Sequence, residues 1–72
     1  MTFSERIKSL RINKSMTQPQ VCQHIGIGLS TLQYYERGAK EPTLSKLIAF
    51  ADLFNVSLDY LVGRTDNPEM NK

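Results

Sequence analysis

The 72-residue chain has one cysteine, one histidine and no tryptophan. A lone Cys22 excludes an internal disulfide and a cysteine-built zinc site, and such usage suits a reducing compartment. His24 stands two positions from Cys22, about 200° around a helix, so thiol and imidazole cannot converge on one reacting atom. There is no glycine-rich phosphate loop and no cluster of carboxylates, which leaves no acid–base or nucleophile constellation for an enzyme. Metal, cofactor and small-molecule substrate are therefore not expected. Long apolar runs are missing as well. Nothing approaches the ~18 residues of a membrane span, and the N-terminus lacks the charged-then-apolar pattern of a signal segment. These absences predict a soluble, cytoplasmic protein with no membrane partner.

What remains is enough for one domain, since a chain this short cannot enclose two cores. Hydrophobic residues make up 40% and charged residues 22%, a globular balance rather than a disordered one. The net charge of +2 says little, but its distribution is uneven. Residues 1–46 hold Arg6, Lys8, Arg11, Lys14, Arg37, Lys40 and Lys46 against Glu5, Glu36 and Glu41. Residues 47–72 hold two basic side chains against Asp52, Asp59, Asp66 and Glu69. The basic part suits phosphate contacts without tight non-specific binding.

Helix punctuation divides the chain into five helices and predicts an all-α domain over residues 1–63. Thr2 with Glu5 three positions on is a capping-box spacing, and Phe3, Ile7 and Leu10 then share one face. Arg6, Lys8 and Lys14 are expected on the solvated side. Thr17 with Gln20 repeats the capping signal, and Pro19 is tolerated because first-turn amides have no intrahelical acceptor to lose. Val21, Cys22 and Ile25 form the buried side of this second helix, with Gly26 placed to end it. The third helix runs from Leu29 to Arg37, with Leu32 and Tyr35 three apart and Gly38 as its stop. Two short helices joined by a tight glycine-containing turn have helix-turn-helix spacing. Thr43 caps a fourth helix whose stripe is Leu44, Leu47, Ile48, Ala51 and Phe54, and Asn55 is placed to close it. Ser57 caps a short fifth helix, Leu58 to Val62, stopped by Gly63. Residues 64–72 lack periodicity and are expected to be disordered.

Three stretches, Met16-Thr-Gln-Pro-Gln-Val-Cys-Gln-His-Ile-Gly26, Ser30-Thr-Leu-Gln-Tyr-Tyr-Glu-Arg-Gly38 and Glu41-Pro-Thr43, resemble the Cro/CI-type (XRE-like) helix-turn-helix regulators. The ending Val56-Ser-Leu-Asp-Tyr-Leu-Val-Gly63 is similar to that family's closing turn and helix. The resemblance spans about residues 3–65, and within the family the chain looks most like the small modulators of repression of temperate phages. It implies a compact five-helix, lambda-repressor-like DNA-binding domain of a phage or bacterial transcription regulator, acting in the bacterial cytoplasm. In such a fold the third helix lies in the major groove and the second crosses the backbone. Carried over by position, Leu29, Ser30, Gln33 and Tyr34 face the groove, Arg37 lies near a phosphate, and Thr17 and Gln18 meet phosphate at the start of the second helix. Lys40 and Lys46, flanking the loop after the third helix, are further phosphate candidates.

The resemblance also implies an ion pair between Arg11 and Glu36 tying the first helix to the third, although on sequence alone either is equally a solvated charge. Double-stranded DNA is the expected partner. Two departures from the family pattern favour an alternative. Gly28 stands where Ser or Thr is usual, and Leu29 and Tyr34 stand where long polar side chains are. An apolar, aromatic face suits a protein interface, so a partner repressor gripped by the same surface is the rival expectation. Leu58, Tyr60 and Leu61 read either as core residues over the fourth helix or as a homodimer contact.

Overall fold

A computed structural model describes residues 1–69. The elements are α1 (Phe3–Asn13), α2 (Gln18–Ile25), α3 (Leu29–Arg37), α4 (Leu44–Phe54) and α5 (Leu58–Leu61), with no strand among the described residues. The caps sit where local chemistry puts them. At α1 and α2 both capping boxes close reciprocally: Thr2 with Glu5, and Thr17 with Gln20, whose Oε1 accepts from the Thr17 amide at 2.8 Å. Glu5 pays little for its charge there, because hydrogen bonds from Thr2 hold its carboxyl below the ordinary value. Thr43 and Ser57 cap α4 and α5 through their hydroxyls. Gly26, Gly38 and Asn55 end α2, α3 and α4 in the left-handed region. The α1–α2 turn uses Ser15 at φ 55°, a left-handed residue that no glycine announces.

The core is built from all five helices. Ile7, Val21, Leu32, Phe50 and Leu61 are its deepest side chains. Phe50 is fully buried, with Phe3 and Tyr35 edge-on to it at 5.7 and 6.0 Å and Phe54 stacked at 6.3 Å. Cys22 is one of the buried core residues, and burial pushes its thiol above the ordinary value, with the negative charge of Glu36 acting in the same direction.

Two expectations need correction. The α4 stripe is not wholly inside: Leu47, Phe50, Ala51 and Phe54 face the core, whereas Leu44 is 66% exposed and Ile48 is also at the surface. Ile48 lies about 100° round the helix from Leu47, on the flank of the covered face, and Phe50 takes the central place. Arg6 is not solvated. It is buried in a niche where its guanidinium lies 3.8 Å from the centre of the Tyr60 ring, donates to the carbonyls of Tyr60 (3.1 Å) and Thr65 (3.4 Å), and meets Asp66 at 3.5 Å. An arginine out of water requires such acceptors, and the segment after Gly63 supplies two of them. That segment was expected to lack order; residues 64–69 form no helix, yet the Pro68 carbonyl also accepts from the Ser57 amide at 3.1 Å. Residues 70–72, the rest of the expected tail, lie outside the described residues. Of the two readings left open for the fifth helix, fully buried Leu61 fits the core one, while Leu58 is exposed.

Candidate nucleic-acid interface

Residues 18–37 form two helices with a sharp corner between them. Gly26 turns the chain at φ 80°, and the amides of Gly26 and Ile27 both donate to the Cys22 carbonyl. A Cβ at Gly26 would meet nothing, so the requirement for glycine there is the backbone angle alone. Gly28 is the N-cap of α3 and offers no side-chain hydrogen bond to the first turn. Its φ of −77° is open to any residue and the space beside it is empty. Gly28→Ser is therefore expected to raise stability by about 0.5–1 kcal/mol, through a cap bond and a less flexible unfolded chain. A urea titration giving no rise in midpoint would contradict that.

α3 divides into two faces. Leu32 and Tyr35 are buried against the core, and Phe3 of α1 meets Tyr35 edge-on at 6.2 Å. On the outer side Leu29 (44% exposed) and Tyr34 (45%) stand with Ser30, Gln33 and Arg37, all at the surface. The Arg37 guanidinium lies 5.1 Å from the centre of the Tyr34 ring, a cation–π contact that steadies both side chains. The four residues expected to face a groove thus share the exposed side of one helix.

The Arg11–Glu36 ion pair is present. Arg11 Nε and Nη2 donate to the two carboxylate oxygens of Glu36 at 2.8 and 3.1 Å, and Nη1 donates to the Met16 carbonyl at 3.1 Å. Both side chains are largely out of water, at 15% and 6% exposure. The Gln18 side-chain amide completes this network by donating to Glu36 Oε1 at 3.2 Å, so α1, α2 and α3 are locked at one point. Gln18 is thus half-buried and structurally engaged, and the Thr17 hydroxyl is spent on its cap. Thr17 is exposed and Gln18 is partly so, both at the start of α2. An open cleft beside the network is lined by Lys8, Arg11, Thr17, Gln18, Gln33 and Arg37, among others, so it brings α2 and α3 candidates together with a lysine of α1. Arg37 and Lys40 also share a second cleft at the far end of α3, with Gly38 between them in sequence. Lys46 is half-exposed in the first turn of α4. α5, with Leu58 and Tyr60, packs on α1 and α4. Among the described residues no group of histidine, cysteine, aspartate and glutamate could hold a metal ion. No described helix is long and apolar enough to cross a membrane.

Set beside known proteins, residues 7–61 match the model of the family described as helix-turn-helix. The chain belongs to the helix-turn-helix family. YobD, an uncharacterised transcriptional regulator of this type from Bacillus subtilis, is 39% identical over 67 residues, 93% of this chain. The cryptic phage CTXphi transcriptional repressor RstR of Vibrio cholerae is 38% identical over 64 residues, 89% of this chain. The chain spans 60% and 57% of the lengths of these two relatives. Among solved structures, the P22 c2 repressor in complex with a synthetic operator superposes with a TM-score of 0.81 at 26% identity, covering 86% of this chain and 94% of that one. A transcriptional regulator from Listeria innocua gives 0.82 at 31% identity, covering 86% and 58%. The helix-turn-helix of the family is thus α2 and α3 of this chain, and the likeness extends through α5.

Proposed function

We propose that this chain is a DNA-binding transcription regulator of a phage or bacterial genetic switch that docks α3 in the major groove of an operator. The observation that carries the reading is the two-faced α3, with Leu32 and Tyr35 anchored in the core and Leu29, Ser30, Gln33, Tyr34 and Arg37 presented outward. Nine residues make a rod about 13 Å long and 10–12 Å across, which a major groove about 12 Å wide accepts. Gln33 can pair with adenine through its amide, Ser30 with either partner of a base pair, and Leu29 with a thymine methyl. Arg37 and Lys40 at one end of the helix, with Lys46, serve as phosphate contacts. Action in the bacterial cytoplasm accords with relatives that are bacterial and phage regulators. Two copies spanning two half-sites would multiply this short reading surface, with Leu58 and part of Tyr60 as the exposed candidates for the contact.

The test begins with selection of duplexes from a random pool by the chain, followed by titration of the selected duplex. Gln33→Ala is expected to weaken binding about 5- to 150-fold, the equivalent of ~1–3 kcal/mol, and to relax the preference at one base pair. Failure to enrich any sequence and to retard any duplex at low salt would count against the reading. The exposed Leu29 and Tyr34 favour a second one, in which this face grips a partner repressor. A one-to-one complex with a neighbouring repressor, lost on Leu29→Lys or Tyr34→Lys while DNA stays unbound, would replace the first reading with the second.

A further inference from the structure

The segment after α5 is built into the domain rather than hung from it. α5 has four residues, too few to hold a helix by its own hydrogen bonds. The chain that follows returns along it from end to start. Gly63 turns at φ 84°, in a place where a Cβ would run into the Met1 carbonyl. The amides of Gly63 and Arg64 donate to the carbonyls of Tyr60 and Asp59 at 3.1 and 2.8 Å. Further on, the Pro68 carbonyl accepts from the Ser57 amide at the other end of α5. Between these two anchor points the Thr65 carbonyl and the Asp66 carboxylate meet the guanidinium of Arg6. Two short turns shape that stretch: the Asn67 amide donates to Thr65 Oγ1 and the Glu69 amide to Asn67 Oδ1, both at 3.1 Å.

Arg6 makes this segment matter to the rest of the fold. Its side chain is only 8% exposed, so its charge needs acceptors that the protein supplies. Asp66 stands fully in water and offers a screened charge, which leaves the carbonyls of Tyr60 and Thr65 as the main acceptors. When the segment lifts away, the Thr65 carbonyl goes with it. α1, which carries Arg6, packs on α3, α4 and α5, and it holds α3 through the Arg11–Glu36 pair and the Phe3–Tyr35 contact. We infer that residues 64–68 are a latch on the domain. Seated, they satisfy Arg6 and pin α1 to α5. Lifted, they strand a buried cation and loosen α1, and with it the support of α3. The segment after α5 thereby controls how firmly the helix-turn-helix is held, whichever macromolecule α3 meets.

The experiment keeps the full chain and loosens the segment. In the variant Thr65→Gly with Asp66→Gly and Asn67→Gly, both turn bonds and the carboxylate are lost and the backbone gains freedom. Amide hydrogen exchange followed by NMR is expected to quicken about tenfold or more at Ser57, through α1 and at Leu32 of α3. In an Arg6→Met background, where no charge is left to strand, the same three changes are expected to act much less on α1 and α3. The melting temperature is expected to fall about 4–8 °C further with Arg6 present than with Met in its place. Arg64→Ala, which removes only an exposed pair with Asp59, is expected to change neither exchange nor melting. Faster exchange at Ser57 alone, with α1 and Leu32 unchanged, would make the segment a passive cover and overturn the latch. Equal losses in the two backgrounds, or losses as large from Arg64→Ala, would overturn it too. Should Arg6→Met not fold, the exchange pattern of the triple variant decides by itself.

Discussion

Replacing Glu36 with alanine is expected to lower the unfolding free energy by about 3–5 kcal/mol, which is the usual result of removing one partner of a buried ion pair. The loss is large because of what stays behind. The Arg11 guanidinium, only 15% exposed, keeps the Met16 carbonyl but loses both carboxylate bonds, and Gln18 loses its acceptor. A domain of this length holds roughly 4–11 kcal/mol in total, at about 0.05–0.15 kcal/mol per residue, so the loss is a large share of the whole. Urea titration followed by circular dichroism measures the change. Two companions tell charge from packing. Glu36→Gln keeps the shape without the charge and is expected to recover part of the loss. The double variant Arg11→Met with Glu36→Leu leaves no stranded charge and is expected to regain most of it. A fall of under 1 kcal/mol for Glu36→Ala would mean that water reaches the guanidinium and that the pair holds nothing together.

The second large effect is at Phe50. Phe50→Ala removes a side chain with no exposed surface and withdraws the ring that Phe3, Tyr35 and Phe54 pack against, so a loss of about 3–5 kcal/mol is expected. At about 4–8 °C per kcal/mol for a domain of this size, the melting temperature falls by tens of degrees. Phe50→Leu keeps most of the volume and is expected to cost much less. Leu44→Ala, on the same helix but 66% exposed, serves as the control and is expected to change stability by less than about 0.5 kcal/mol. Equal losses at positions 44 and 50 would mean that the covered side of α4 has been misplaced. Phe50 also meets Tyr35 of α3, on the opposite side of that helix from its exposed residues. A hole beneath Tyr35 would loosen the outer face of α3, the surface proposed to meet DNA.

These two positions also differ in how far the sequence announces them. The pairing of Glu36 with Arg11 is implied only by family resemblance, because nothing local ties residues 25 positions apart. Phe50 is absent from the period-3.6 stripe of α4, which starts one turn too early at Leu44. Among the candidate site residues, Leu29, Ser30, Gln33 and Tyr34 are legible because Leu32 and Tyr35 fix the inner side of α3 and leave them the outer one. The bond from Gln18 to Glu36 is not legible, because it joins two helices.

The amino-acid order alone determined where helices begin and end. Thr2 with Glu5, Thr17 with Gln20, and the stops at Gly26, Gly38 and Asn55 act through bonds or backbone angles that span at most one helical turn, so a neighbour three or four positions away is all they need. Tertiary structure decided which side of each helix is covered. It buried Arg6 and left Lys8 in water two positions later, enclosed Leu61 beside an exposed Leu58, and gave residues 65 and 66 a role as acceptors. Burial is settled by groups that are distant in the chain: the arginine at position 6 is satisfied by carbonyls 54 and 59 residues away and by the carboxylate of Asp66. A chain meets such partners only when its helices pack, and no periodicity within one helix contains that information.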